Sequence, residues 1–111
     1  NNFKIEILNQ SLTLALEWGE NWLQPIQERI IAEYPNLSHT QADFLNSVCK
    51  HTMTDIEIFI YQTLSKERID ADILRVLLIS YINEKYSWIN ESNSARLFSQ
   101  GCYYAWKDGL L

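Results

Sequence analysis

Arg96-Leu97-Phe98-Ser99-Gln100-Gly101-Cys102-Tyr103-Tyr104-Ala105-Trp106-Lys107 lies near the end of a 111-residue sequence, and its apolar spacing is helical. Ala95, Phe98, Cys102, Ala105 and Trp106 recur at i, i+3, i+7, i+10 and i+11, a single stripe at the helical period. Leu97, Gly101 and Tyr104 form a second row beside it. Gly101 sits inside this pattern, where glycine costs about 1 kcal/mol against alanine. Two readings follow. Either a neighbouring element packs closely there, or Gly101 leaves a notch for a ligand. Gly109, just after Lys107, is placed to cap the helix C-terminus, with the lysine charge in the last turn.

Upstream, Asp70 is a helix N-cap, followed by a stripe of Ala71, Leu74, Leu77, Leu78, Tyr81 and Ile82. Ile73, Val76 and Ile79 widen that stripe until the helix is apolar nearly all round. A helix of this kind is normally surrounded, so residues 70–86 are predicted to be central. Ser87 to Asn90 link it to the last helix, which Asn90 or Ser92 caps.

The run Ile56-Glu57-Ile58-Phe59-Ile60-Tyr61 is ambiguous, because it is β-branched and partly alternating. Ile56, Phe59, Ile60, Thr63 and Leu64 also share a helix face. The only other strand candidate is Phe3–Ile7, so helix is the consistent reading. It either restarts at Thr54-Asp55 or continues, kinked, from the preceding helix. That helix opens at Ser38-His39-Thr40-Gln41, a capping box, and carries Ala42, Leu45, Val48, Cys49 and Thr52. Ser65 to Arg68 reads as a loop. Earlier in the chain, a first helix is predicted from about residue 4 to Trp18, ended by Gly19. A second follows from Asn21, with Gln24 in capping-box position, to about Tyr34. Pro35-Asn36 stops it. The expectation is an all-α, single-domain bundle of five to six helices over residues 1–111.

Composition narrows the function. Apolar residues make up 47%, too many for a disordered chain, and 111 residues can bury a core without metals or disulfides. Net charge is −5, and no basic stripe suited to nucleic acid or to an anionic membrane is visible. Residues 1–64 hold eight acids and three bases, while residues 65–111 hold six of each. An acidic balance fits a basic protein partner. No apolar run reaches the length of a membrane span, and no signal peptide is visible. Cys49 and Cys102 make no disulfide framework and read as buried thiols, which fits a cytoplasmic setting.

Catalytic and metal signatures are weak. His39 with Asp43, and His51 with Asp55, are i, i+4 pairs that share a helix face. On one continuous helix the two pairs would lie about 18 Å apart, too far for a single site. Cys49 and His51 fall on different helix faces, which disfavours thiol activation. Glu17 with Glu20, and Glu28 with Glu33, read as solvated faces. There is no Glu-x-x-His motif, phosphate-binding glycine loop or nucleophile elbow, and no cofactor is expected.

The aromatic residues stand above background: four Trp, six Tyr and four Phe. Trp18 and Trp22 are one turn apart. Tyr103 shares a predicted exposed face with Arg96, Gln100 and Lys107. With Trp88 these form the candidate interaction patch, since Trp, Tyr and Arg dominate protein interfaces. The predicted function is a non-catalytic protein-interaction or regulatory module, by hetero-association or self-association. The alternative is a small-molecule or catalytic pocket at Gly101, Tyr104 and His51.

Ser38-His39-Thr40-Gln41-Ala42-Asp43-Phe44-Leu45 resembles the start of a helix in the acidic immunity proteins that block bacterial nuclease toxins. The likeness covers these eight residues and consists largely of a capping box and an amphipathic turn. The Tyr103-Tyr104 pair sits in a different context from that family's tyrosine pair. What the resemblance implies is a helix start at this position.

Overall fold

A computed structural model describes residues 3–111 and shows an all-α protein. Among the described residues five α-helices follow in order: α1 (Ile5–Ala15), α2 (Gln27–Glu33), α3 (His39–Lys66), α4 (Ala71–Lys85) and α5 (Glu91–Lys107). A 3₁₀ turn, Gly19–Asn21, lies between α1 and α2. No strand occurs among the described residues, so Ile56–Tyr61 is helical. The chain forms two compact units, residues 1–52 and 53–111, and α3 contributes to both.

The helix starts follow from side-chain caps. Ser38 Oγ accepts from the Gln41 amide at 3.1 Å, while the Ser38 amide donates to Gln41 Oε1 at 2.8 Å. This reciprocal box satisfies two end donors of α3. Asp70 accepts from the Ile73 amide, and Asn90 from the Asn93 amide, each at 2.9 Å. At the end of α5, Gly109 has φ +79°. Its amide donates to Trp106 O, and the Leu110 amide donates to Ala105 O. That is a Schellman closure, which requires a left-handed residue and so favours glycine.

Of the two readings, restart at Thr54-Asp55 or continuation, the helix continues: α3 runs without a break from His39 to Lys66. Ala42, Leu45, Cys49, Thr52, Ile56, Ile60 and Leu64 are all buried on α3, an unbroken stripe through the supposed break. The Asp55 side chain caps nothing, because residues of α4 and the link after it engage it (below).

The second helix begins later than predicted. Pro25 disfavours helical backbone at the residue before it. The Ile26 amide donates to Asn46 Oδ1 at 3.1 Å. Asn21 donates to Glu17 Oε2 instead of capping. The first unit buries Leu8, Leu12, Ile26, Ile30, Ala42 and Leu45.

In the second unit α3, α4 and α5 pack around Ile56, Ile60, Leu74, Leu78, Ile82 and Leu97. Helix α4 forms where predicted, but it is not surrounded. Its 74/78/82 stripe is buried and Tyr81 beside it half-buried. Ile73, Val76, Leu77 and Ile79 are 49, 65, 42 and 41% exposed. The cause is geometric: one helix layer covers one face, and the rest of an all-round apolar helix stays outside. Helix α5 is also turned relative to the prediction. Leu97, Phe98, Gln100 and Ala105 face inward, while Ala95 and Trp106 face outward.

Candidate functional site

The outer face of α5 assembles part of the predicted patch. Arg96, Ser99, Tyr103, Trp106 and Lys107 are all exposed along one side of the helix. Trp106 is 64% exposed and Tyr103 45%, with ring centroids 6.3 Å apart. Tyr104, half-buried, meets Tyr103 edge to face at 5.4 Å. The local charges on this face are cationic, in a chain whose net charge is negative. Gln100 is buried and does not belong to the face. Trp88 is half-buried in the link before α5. It precedes the helix start, and Tyr103 lies twelve residues beyond Glu91, about 18 Å along the axis. Trp106 is an exposed aromatic of this face that sequence reading placed on the buried stripe instead. Its signal was its position next to Tyr103 and Lys107 on the helical wheel.

The predicted pocket at Gly101 does not open. A Cβ on Gly101 would collide with Cδ1 of Ile60 and would lie 3.5 Å from its Cγ1. Gly101 therefore lets α3 and α5 approach, and Ile60 fills the notch. His51 is exposed on α3.

A groove of about 420 Å³ lies elsewhere, between α4 and α5, over Ile79, Ile89 and Phe98. The Arg75 guanidinium lies 4.7 Å from the centroid of the Phe98 ring at its edge. In the first unit a groove of about 480 Å³ includes Glu6, Glu33 and Tyr34. Both carboxylates are engaged. Tyr34 donates to Glu6 Oε1 at 3.3 Å and Gln10 to Glu33 at 3.0 Å.

The strongest electrostatic feature is a clamp in the second unit. Asp55 accepts from Tyr86 at 2.5 Å and from Tyr81 at 3.0 Å, and pairs with Lys85 at 2.9 Å. The Tyr81 ring also stacks on Phe59 at 4.2 Å. Burial raises the Asp55 pKa, but hydrogen bonds from Tyr86, Lys85 and Tyr81 outweigh it and hold the pKa below the ordinary value. Burial, then the bond to Asp55, pushes Tyr86 up to about 12. The bond to Asp55 also raises Lys85. Cys49 is pushed to about 12 by burial, and burial raises Cys102 as well.

These shifts hold the acid ionised, the lysine protonated and the thiols neutral. A general base or a nucleophile needs shifts in the opposite direction. The aspartates of the two histidine pairs have other partners. Asp43 accepts from Gln27 at 3.1 Å, and Asp55 belongs to the clamp. Of the other carboxylate pairs, Glu17 meets Arg29 at 3.2 Å. Among the described residues no three His, Cys, Asp or Glu side chains gather as a metal site would require. No helix of the described residues is long and apolar enough to cross a membrane.

No family model matches the chain, and no curated protein or solved structure matches it significantly.

Proposed function

We propose that this protein is a non-catalytic protein-interaction module that binds its partner through the outer face of α5. The observation that carries the reading is Trp106, largely exposed beside Tyr103 on a rigid helix. Large amphipathic aromatics on a fixed backbone bind at low entropic cost, and flanking Arg96 and Lys107 select the partner by charge. The local charge calls for an acidic segment on the partner, whereas net charge alone had suggested a basic one. Free thiols at Cys49 and Cys102 support a cytoplasmic setting.

A photo-crosslinking amino acid at position 103, incorporated in the source cells, identifies the partner. Tyr103→Ala and Trp106→Ala should each then weaken binding of that purified partner by at least about 1–2 kcal/mol. Arg96→Glu should weaken it most at low salt. Unchanged affinity in the double aromatic variant refutes the reading.

The groove between α4 and α5 favours a second reading, a site for a small apolar anion held by Arg75. A thermal-shift screen of small carboxylates, with Arg75→Ala as control, tests it.

A further inference from the structure

The groove between α4 and α5 has a direction. Arg75 on α4 meets Phe98 on α5, while Asn83 and Glu91 line the same groove nearer the link between the helices. The two helices therefore run antiparallel along it. Arg75, Ile79 and Asn83 fall at i, i+4 and i+8, one row of α4, and Glu91, Ser94 and Phe98 fall at i, i+3 and i+7, one row of α5.

Its two ends differ in chemistry. A cation lies over Phe98 at one end, and a carboxylate with an amide lines the other. Arg75 and Asn83 are eight residues apart and Phe98 and Glu91 seven, so the ends are about 10–12 Å apart along either helix. Ile79 and Ile89 lie between them. Neither Arg75 nor Glu91 makes a hydrogen bond or an ion pair through its side chain among the described residues, and the Ser94 hydroxyl, between the ends, makes no hydrogen bond there either.

An acid in the first turn of a helix is favourable by itself, so Glu91 alone would mark nothing. Its place at the far end of an apolar floor that begins at a cation is what constrains a ligand. A plain carboxylate with an apolar tail, held by Arg75, would lay that tail against Glu91 and Asn83 and desolvate them without a partner. A ligand that also carries an ammonium satisfies both ends. An extended chain spans about 3.3–3.6 Å per residue, so about three residues carry a free amine and a free carboxylate across this distance. The amides of such a chain also suit the Ser94 hydroxyl, which a hydrocarbon does not.

We infer that the α4–α5 groove is a site for short apolar peptides with both termini free, the carboxylate on Arg75 and the ammonium on Glu91. The inference rests on the second reading above, that Arg75 holds an anion here, and adds the far-end partner and the length of the ligand. Its volume of about 420 Å³ falls among small-molecule sites.

Calorimetric titration of the full chain with leucyl-alanyl-leucine, its N-acetyl and C-amide derivatives, and octanoate tests the inference. The free tripeptide should bind, and each blocked derivative should bind at least tenfold more weakly. Glu91→Gln should erase the preference for the free amine and keep that for the free carboxylate. Arg75→Gln should do the reverse. Both residues are exposed, so circular dichroism should show each variant folded as the parent. Octanoate binding as tightly as the tripeptide, or the acetylated peptide binding as tightly as the free one, overturns the inference and leaves the small-anion reading standing. So does a preference for the free amine that survives Glu91→Gln. An amide that binds as well as the free acid, or no binding by any probe, overturns both.

Discussion

At the residue scale two positions are decided by contacts or backbone that composition does not reveal. Gly101→Ala should gain helix propensity of about 1 kcal/mol but force its methyl against buried Ile60. Overpacking of a tight core costs about 1–3 kcal/mol, so a net loss of stability is expected in urea denaturation. Ile60→Val removes the obstructing methyl and should make the alanine better tolerated than in the parent background. Leu23 is the second case. It is exposed at φ +63°, a left-handed backbone that costs a branched side chain about 1–2 kcal/mol. Leu23→Asn, which tolerates that region, should raise stability by about 0.5–1 kcal/mol in the same assay. Gly101 was legible as a close-packing site, although which residue filled the space was not. Leu23 was invisible, because nothing in a leucine announces a positive φ.

At the scale of elements, the caps were legible and the faces were not. Ser38, Gln41, Asp70, Asn90 and Gly109 act as their local spacing indicated, because a cap is satisfied within four residues of itself. Ser38→Ala should therefore cost about 1 kcal/mol. The rotation of α5 and the exposure of α4 were not legible, since an apolar row does not say which neighbour covers it. Two substitutions on α4 test the observed pattern. Leu78→Ala should cost about 2–5 kcal/mol, as a buried leucine does. Val76→Glu, one side of the helix away, should change stability by no more than about 0.5 kcal/mol. Equal costs would mean that the helix is turned differently.

At the scale of the whole molecule, pH should act through a few linked groups. Asp55 has a folded pKa below its ordinary value, so its contribution is present above about pH 4 and is lost as pH falls through the folded value. Tyr86 is raised to about 12 by burial and by Asp55, and Tyr61 to about 12, chiefly by its hydrogen bond to Asp108. Between pH 10 and 12 the unfolded chain has released these protons and the folded chain still holds them. Stability should therefore fall as pH rises through that window. Denaturation curves from pH 3 to 11 should show both losses. Asp55→Asn should remove most of the acid loss from this clamp and reduce the alkaline one.

What the sequence determined by itself was local. Helical periodicity, capping residues and the scarcity of glycine and proline select an all-α chain, because each works within one or two turns. What only the tertiary structure decided was which faces meet. It filled the Gly101 notch with Ile60, drew Asp55 away from His51 into the Tyr81–Lys85–Tyr86 clamp, and left Trp106 and the middle of α4 outside. Those outcomes depend on residues twenty or more positions apart in the chain, and on the fact that a helix has more apolar circumference than its neighbours can cover.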